Sequence, residues 1–198
     1  VWSNTANYSI DLGKNNISAV IGTEAKKENG EHLQGYGRGL VIEDLDYRYL
    51  DTVTEGKSVS NNASTYAMVS YFGKVNYAFD DKYLISGTVR RDASSRFGKG
   101  NNSAIFPSVS AGWRVSREKF MECTQNWLSD LKLRASWGIN GNDQIDNNAT
   151  YNLYYTNMSN GSYNFNGDGT TVLPGVQKDR SGNYDLKWEE TKQLNLGI

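Results

Sequence analysis

The stretch NFNGDG sets Asn164, Asn166, Asp168 and Gly169 at the first, third, fifth and sixth places of a calcium-loop spacing. The twelfth place needs a bidentate Glu and holds Gly175, so the stretch reads as a polar, glycine-rich loop and no metal is assigned. Asn142, Asp143 and Asp146 in NGNDQIDNN form a second oxygen-rich cluster, for which turn chemistry is the simpler account. Glu189 and Glu190 are adjacent, so in a strand they face opposite sides and cannot work as an acid–base pair. His32 and Cys123 are each the only residue of their type, which leaves disulfides, multi-Cys metal sites and His-based triads without material. The glycine-punctuated QGYGRG around Arg38 lacks either phosphate-loop spacing. No nucleophile–base–acid set emerges, so the reading is non-enzymatic and needs no cofactor.

Binding offers more material than catalysis. Tyr151, Tyr154, Tyr155, Tyr163 and Phe165 could stack on sugar rings, or could equally pack their loop upon itself. With polar residues on neighbouring connections they define a candidate ligand-binding set: Arg96, Asn101, Asn142, Asp143, Tyr151 and Tyr155. Every member lies between predicted strands, so the strands decide what the set can do.

The clearest strands are in YFGKVNYAFDDKYLISGTVRRD, from Tyr71 to Asp92. Tyr71, Gly73, Val75, Tyr77 and Phe79 share one face, opposite Phe72, Lys74, Asn76 and Ala78. Beyond the Asp80–Asp81 turn, Tyr83, Ile85, Gly87 and Val89 alternate with Leu84, Ser86, Thr88 and Arg90. Alternation over about ten residues per arm exceeds the usual strand of roughly 5–6. It fits the ~9–11 residues that a tilted strand needs to cross a bilayer. An apolar face backed by Lys, Asn, Ser and Arg describes a wall between lipid and a wet lumen.

Composition agrees. A hydrophobic share of 37% and mean hydropathy of −0.65 exclude a membrane-spanning helix but not a barrel, whose strands need only alternate apolar residues. The net charge of −1 offers no field for nucleic acid. Aromatics at 12% suit interfacial girdles, and the mere 2 prolines suit unbroken ladders. The chain opens on Val1-Trp2-Ser3 and stops inside a predicted strand, so it is expected to be a piece of a longer protein.

Seven segments read as strands: Val1–Asp11, Asn16–Lys26, Tyr66–Phe79, Lys82–Arg91, Ala104–Ser116, Leu131–Asn140, and one starting near Leu186. Val109, Ala111, Trp113 and Val115 are expected to face lipid, as are Leu131, Leu133, Ala135, Trp137 and Ile139, and finally Leu194, Leu196 and Ile198. Short links (Leu12–Asn15, Asp80–Asp81, and a medium Arg117–Asp130) alternate with long ones (Lys27–Thr65, Asp92–Ser103, Gly141–Asp185). That is the pattern of short periplasmic turns and long extracellular loops. In the medium link, Phe120, Cys123 and Trp127 recur at helical spacing, which predicts an amphipathic cap with Cys123 buried. Arg91 shares the lipid side with Val89. Eight residues beyond Tyr83, at ~3.3 Å each and ~40° tilt, it has climbed roughly 20 Å of a ~25 Å band, where an Arg costs only about 0–1 kcal/mol. On the opposite face Lys74, Arg90, Arg114, Lys132 and Arg134 form a lumen-facing basic bias. They either pair with acidic groups of an inner plug or favour anionic solute.

The runs YFGKVNYAFDDKYLISGTVRRDASSRFGKGNNSAIFPSVSAGWRVSREKFM, NWLSDLKLRASWGINGNDQI and YDLKWEETKQLNLGI resemble the SusC/RagA family of TonB-dependent outer-membrane transporters. The resemblance implies an all-β fold. Residues 1–198 would be a segment of a large antiparallel transmembrane β-barrel of about 22 strands, roughly seven of them here with long extracellular loops. It further implies a plug domain that is not in these residues, TonB coupling through the parent's N-terminal part, and a SusD-like lipoprotein as lid. Cargo would be oligosaccharide or oligopeptide, and the site the outer membrane of a Bacteroidetes-like Gram-negative cell. The alternatives are a siderophore or cobalamin receptor of the same architecture, and a secreted soluble β-rich glycan-binding adhesin.

Overall fold

A computed structural model describes residues 1–42, 44–124, 126–164, 167 and 173–198, with backbone alone over 157–163 and 173–174. The strands are β1 (Trp2–Leu12), β2 (Asn15–Leu40), β3 (Val53–Phe79), β4 (Tyr83–Ser94), β5 (Ser103–Arg114), β6 (Lys132–Asn142), β7 (Leu153–Tyr163), β8 (Leu173–Arg180) and β9 (Glu189–Gly197). Seven form one sheet in the order β1-β2-β3-β4-β5-β6-β9, while β7 and β8 pair separately between β6 and β9. The registered pairs are all antiparallel.

The register aligns the apolar residues of neighbouring strands. Tyr77 pairs with Ile85, Ile85 with Ala111, Ala111 with Ala135, and Ala135 with Leu196. A parallel row runs Phe79–Tyr83–Trp113–Leu133. Trp113, Leu133 and Trp137 remain 36–41% exposed, and Val75, Ile85, Val89 and Val109 about half exposed. A water-soluble domain would bury these side chains in a core. Here they make a continuous apolar face, far larger than the scattered hydrophobes of a soluble surface. The other face is wet: Ser86 and Ser110 share a hydrogen bond of 2.7 Å, and Asn76 donates to Ser18 at 3.1 Å. The sheet is an arc of transmembrane barrel wall, and it does not close within this chain.

Turn chemistry fixes one rim. Asp80 and Asp81 both take φ of 51°, the left-handed centre of a turn closed by the Lys82 N–H on the Phe79 carbonyl at 2.9 Å, within a three-residue connection whose twist suits its flanking strands. Lys82 bridges Asp80 at 3.6 Å and Glu118 at 3.8 Å, and Lys14 reaches Asp80 at 3.6 Å. Glu118 Oε1 accepts from the Tyr83 hydroxyl (2.6 Å) and the Trp113 indole N–H (3.1 Å), tying two girdle aromatics to one carboxylate. Those two donors, helped by Lys82, hold Glu118 below the usual carboxylate range.

Several expectations need correction. β5 ends at Arg114, and Val115 turns into a 3-10 segment where it is buried rather than facing lipid. The predicted helical cap is a 3-10 segment, Lys119–Thr124, with three residues per turn. Residues i and i+3 eclipse there, so Phe120 and Cys123 share one open side: both are exposed, as is Trp127. The link 27–65 is largely strand, because β2 runs on to Leu40 and β3 starts at Val53. Paired backbone continues there with polar residues on both faces, which erases the alternation signal. The link 141–185 likewise carries β7 and β8, and the last strand starts at Glu189 rather than near Leu186.

The chain divides into two compact units, Val1–Lys26 with Ala67–Ile198, and Lys27–Tyr66. In the second, the Asp44 carboxylate caps the Asp46 N–H at 3.1 Å to start a 3-10 turn, and Thr54 Oγ1 donates to the Gly39 carbonyl at 2.8 Å.

Two tests follow from the wall. Val109→Arg should cost about 2–4 kcal/mol and Ile105→Arg, in the row of Arg91, about 0–1, measured by urea unfolding of the full-length protein in bilayers. Equal penalties would contradict the lipid-facing assignment. Because Glu118's folded pKa is depressed, its clamp persists at neutral pH and is lost only as pH falls through that lowered value. Hydrogen exchange at residues 113–118 should therefore rise at acid pH, and Glu118→Gln should abolish that acid limb; an unchanged limb would refute the clamp.

Candidate functional site

The rim opposite the short turns is knit from three connections: 92–102, 141–152 and 180–188. Arg96 is its brace. Its Nε donates to Asn147 Oδ1 at 2.8 Å and its Nη1 to the Asp143 carbonyl at 2.9 Å, with the Asp143 carboxylate 3.7 Å away. Ser94, almost fully buried, donates to Asp143 Oδ2 at 2.8 Å. Such charge-assisted bonds are the strong ones, and a half-buried guanidinium orders several carbonyls at once.

An aromatic wedge stands beside the brace. The Trp188 ring lies 5.3 Å from both Phe97 and Phe106, and its indole N–H donates to the Asn102 carbonyl at 3.2 Å. Phe106 sits among polar residues of the wet face, and Gly141 leaves room for it: a Cβ there would lie 2.0 Å from its ring. Gly182 packs as closely on the Thr150 carbonyl, at 2.5 Å from a Cβ position, and Asn183 donates to the Ala149 carbonyl at 3.1 Å. Asp146 accepts from the Asn148 backbone N–H (2.9 Å) and from Arg180 (3.1 Å), and these hold it below the usual carboxylate range.

The candidate binding residues divide on this frame. Arg96 and Asp143 belong to the brace. Asn142 donates to Glu189 at 2.9 Å while its own oxygen accepts from the Gln144 N–H, and Asn101 reaches the Tyr184 carbonyl at 3.5 Å. Tyr151 is exposed and meets Tyr184 edge-on at 6.4 Å, Tyr154 is exposed and Tyr155 half-buried. Among the described residues of this connection, Tyr151 and Tyr154 are thus the aromatic side chains presented outward. Phe165, Asn166, Asp168 and Gly169 lie outside the described residues, as does the Tyr163 side chain. Sequence reasoning missed Trp188, Phe97, Phe106 and Thr150. An available signal was Phe106, a large apolar residue breaking the polar face of its strand.

On the wet face, Arg90 is paired within the wall. Its Nε contacts Asp92 at 2.7 Å, its Nη2 Ser70 at 2.9 Å and Glu24 at 3.9 Å, and its guanidinium lies 5.8 Å from the Phe72 ring centre. Arg114, Lys132 and Arg134 cluster near the short-turn rim, with Arg114 directly opposite Lys132 and Arg134 opposite Gly112. Lys74 is exposed on the same face. Lys132 and Arg134 line a hollow of ≈ 560 Å³ together with Asn76, Ser86, Ser110 and Asn195.

An open apolar-out, polar-in arc with a braced loop rim defines a segment of transmembrane barrel wall, and its relatives agree. The sequence model of the family described as TonB dependent receptor-like, beta-barrel, matches residues 2–198, and the chain belongs to that family. The chain is 34% identical to the TonB-dependent receptor SusC of Bacteroides thetaiotaomicron over 192 residues, covering 96% of this chain and 18% of that protein. It is 34% identical to the TonB-dependent receptor P3 of Formosa agariphila, over 98% of this chain and 19% of that one. Among solved structures, that of the RagAB peptide transporter superposes with a TM-score of 0.81 at 32% identity, over 98% of this chain and 20% of that one. These relatives place the chain in the SusC/RagA branch. The chain spans about a fifth of the length of the relatives it matches.

Phe106→Ala, which removes a ring that is only 7% exposed, should cost about 3–5 kcal/mol and free the 141–152 connection to proteolysis. Cleavage and stability indistinguishable from wild type would show that the wedge does not hold this rim.

Proposed function

We infer that the parent protein is an outer-membrane TonB-dependent transporter of the SusC/RagA type. In this reading residues 1–198 are barrel segment throughout, and the plug domain and the TonB-engaging part lie elsewhere in the polypeptide. The observation that carries it is the uninterrupted apolar row on one face of the seven-stranded sheet, set against hydroxyls, amides and charges on the other. Cargo is oligosaccharide or oligopeptide. A peptide is what the name of the RagAB structure states for that protein.

The strands serve as wall, with no chemistry of their own. The brace of Arg96 and the wedge of Trp188 hold the feet of the connections, and the aromatic connection between β6 and β9 reaches outward to cargo and to a SusD-like lid. Tyr151 and Tyr155 supply stacking surface there, while Arg96, Asn101, Asn142 and Asp143 keep the mouth in shape. The protein sits in the outer membrane of a Bacteroidetes-like cell and exchanges energy with the TonB complex from the periplasmic side.

Removing residues 154–179 from the full-length transporter spares the braced feet and deletes most of β7 and β8. Cargo capture or lid association should fall at least tenfold while the folded, heat-modifiable barrel persists. Unchanged uptake together with unchanged lid binding would reject the role assigned to this connection. Parent protein that partitions into water without detergent would instead favour a soluble adhesin.

A further inference from the structure

We propose that the connection between β5 and β6 is a membrane foot that holds a glycerophospholipid of the periplasmic leaflet. Phe120 and Trp127 enter the boundary between headgroups and acyl chains, and Lys119 meets the lipid phosphate. This rests on the transporter reading above, which sets the short-turn rim on the periplasmic side.

The connection is closed at its base and tethered to the lipid side of the wall. The Ser116 N–H donates to the Leu131 carbonyl at 3.3 Å and its hydroxyl to Asp130 Oδ1 at 2.8 Å, which pins the two ends of the link together. Two residues on, Glu118 accepts from the Tyr83 hydroxyl and the Trp113 indole N–H. Both rings belong to the apolar row of the sheet, so the chain leaves the wall on its outer face. Polypeptide enclosed by the arc lies on the other side of the wall and cannot cover this point. From Lys119 to Thr124 the backbone is 3-10, and residues three apart eclipse to give three columns. Met121 and Thr124 are half-buried, and Thr124 Oγ1 donates to the Met121 carbonyl at 2.7 Å. Lys119 and Glu122 make an exposed charged column, and Phe120 and Cys123 an exposed apolar one.

The N–H groups of Trp127 and Leu128 both return to the Thr124 carbonyl, at 3.1 and 2.9 Å. Past that turn Trp127 stands 76% exposed, and Phe120 is 63% exposed. In water these rings would be an unexplained cost; beside girdle aromatics they sit at the level where Trp and Phe bodies favour the membrane interface. The apolar surface continues from the foot up the wall. Tyr83 and Trp113 border a shallow hollow of ≈ 550 Å³ with Ile85, Ala111, Leu133 and Leu196, and the short Ala111 side chain among larger ones leaves room for an acyl chain. Lys119 follows the Glu118 clamp directly, and its long stem lets the ammonium rise to a phosphate while Phe120 stays in the boundary. Glu122 shares the column of Lys119, which suits a zwitterionic headgroup carrying its own ammonium beyond the phosphate. Apolar rings below, a cation at the phosphate and a carboxylate beyond it match such a lipid in depth order.

The test is a nitroxide on Cys123 of the full-length protein, any cysteine elsewhere replaced by Ser, in bilayers of phosphatidylethanolamine and phosphatidylcholine. Power saturation then compares collisions with lipid-soluble oxygen and with a neutral, water-soluble nickel chelate. In wild type, oxygen access should exceed chelate access about threefold, as expected of a group about 5–10 Å into the boundary. Phe120→Ser combined with Trp127→Ser should reverse that ratio, and Lys119→Glu should lower it. Chelate access equal to or above oxygen would overturn the proposal. So would low access to both, which would mean that protein covers the site, or a ratio that these variants leave unmoved. A nitroxide at Val109→Cys in a Cys123→Ser background separates the two readings. If oxygen dominates at 109 and not at 123, the foot fails and the transporter reading survives; if it dominates at neither, the transporter reading itself fails.

Discussion

Hydrocarbon offers a peptide group no hydrogen-bond partner, and that constraint organises this chain. Inside the bilayer every N–H and C=O must be satisfied laterally, so seven strands pair edge to edge in one sheet, β1-β2-β3-β4-β5-β6-β9, with β7 and β8 pairing apart from it. Once pairing is obligatory, the pleat decides everything else: alternate side chains meet lipid, and the rest meet water. Tyr83, Trp113 and Leu133 share one rung, and Ile85, Ala111, Ala135 and Leu196 the next, because a one-residue slip would carry the whole set to the wrong face.

The two rims solve different problems. At the short-turn rim the strands reverse in few residues, and a compact charge network serves: Asp80, Lys82, Lys14 and Glu118, with Tyr83 and Trp113 hung from one carboxylate. At the opposite rim the connections are long, so loop-closure entropy is larger and local turn geometry cannot order them. There Arg96 gathers carbonyl and amide oxygens, and Trp188 fills the space between Phe97 and Phe106. Polar residues that look available for ligand when read as text, such as Asn142 and Asp143, are engaged in this internal work.

Function follows from this division of labour. A rigid wall with braced feet can project aromatic connections outward without distorting the membrane-spanning part. The wet face combines self-neutralised sites such as Arg90 with a cationic cluster of Arg114, Lys132 and Arg134 on facing positions of β5 and β6.

The strand faces were legible from residue order, because lipid contact imposes period two over long stretches, and Tyr71–Arg91 displays it without a break. The resemblance carried by residues 71–145 and 185–198 pointed to the same family that the comparisons show. Elsewhere the signal failed: residues 27–40 and 53–65 are strand with mostly polar residues at alternate positions on both faces, so nothing in their polarity distinguishes them from loop. The 3-10 geometry that exposes Cys123, and the turn that buries Val115, depend on how the chain leaves β5, not on the spacing of apolar residues. Within the regular strands the sequence by itself determined which side chains share the apolar face. Only the tertiary structure decided which polar groups find each other, because Arg96 and Asp143, or Arg114 and Lys132, are brought together by strand pairing between residues far apart in the chain.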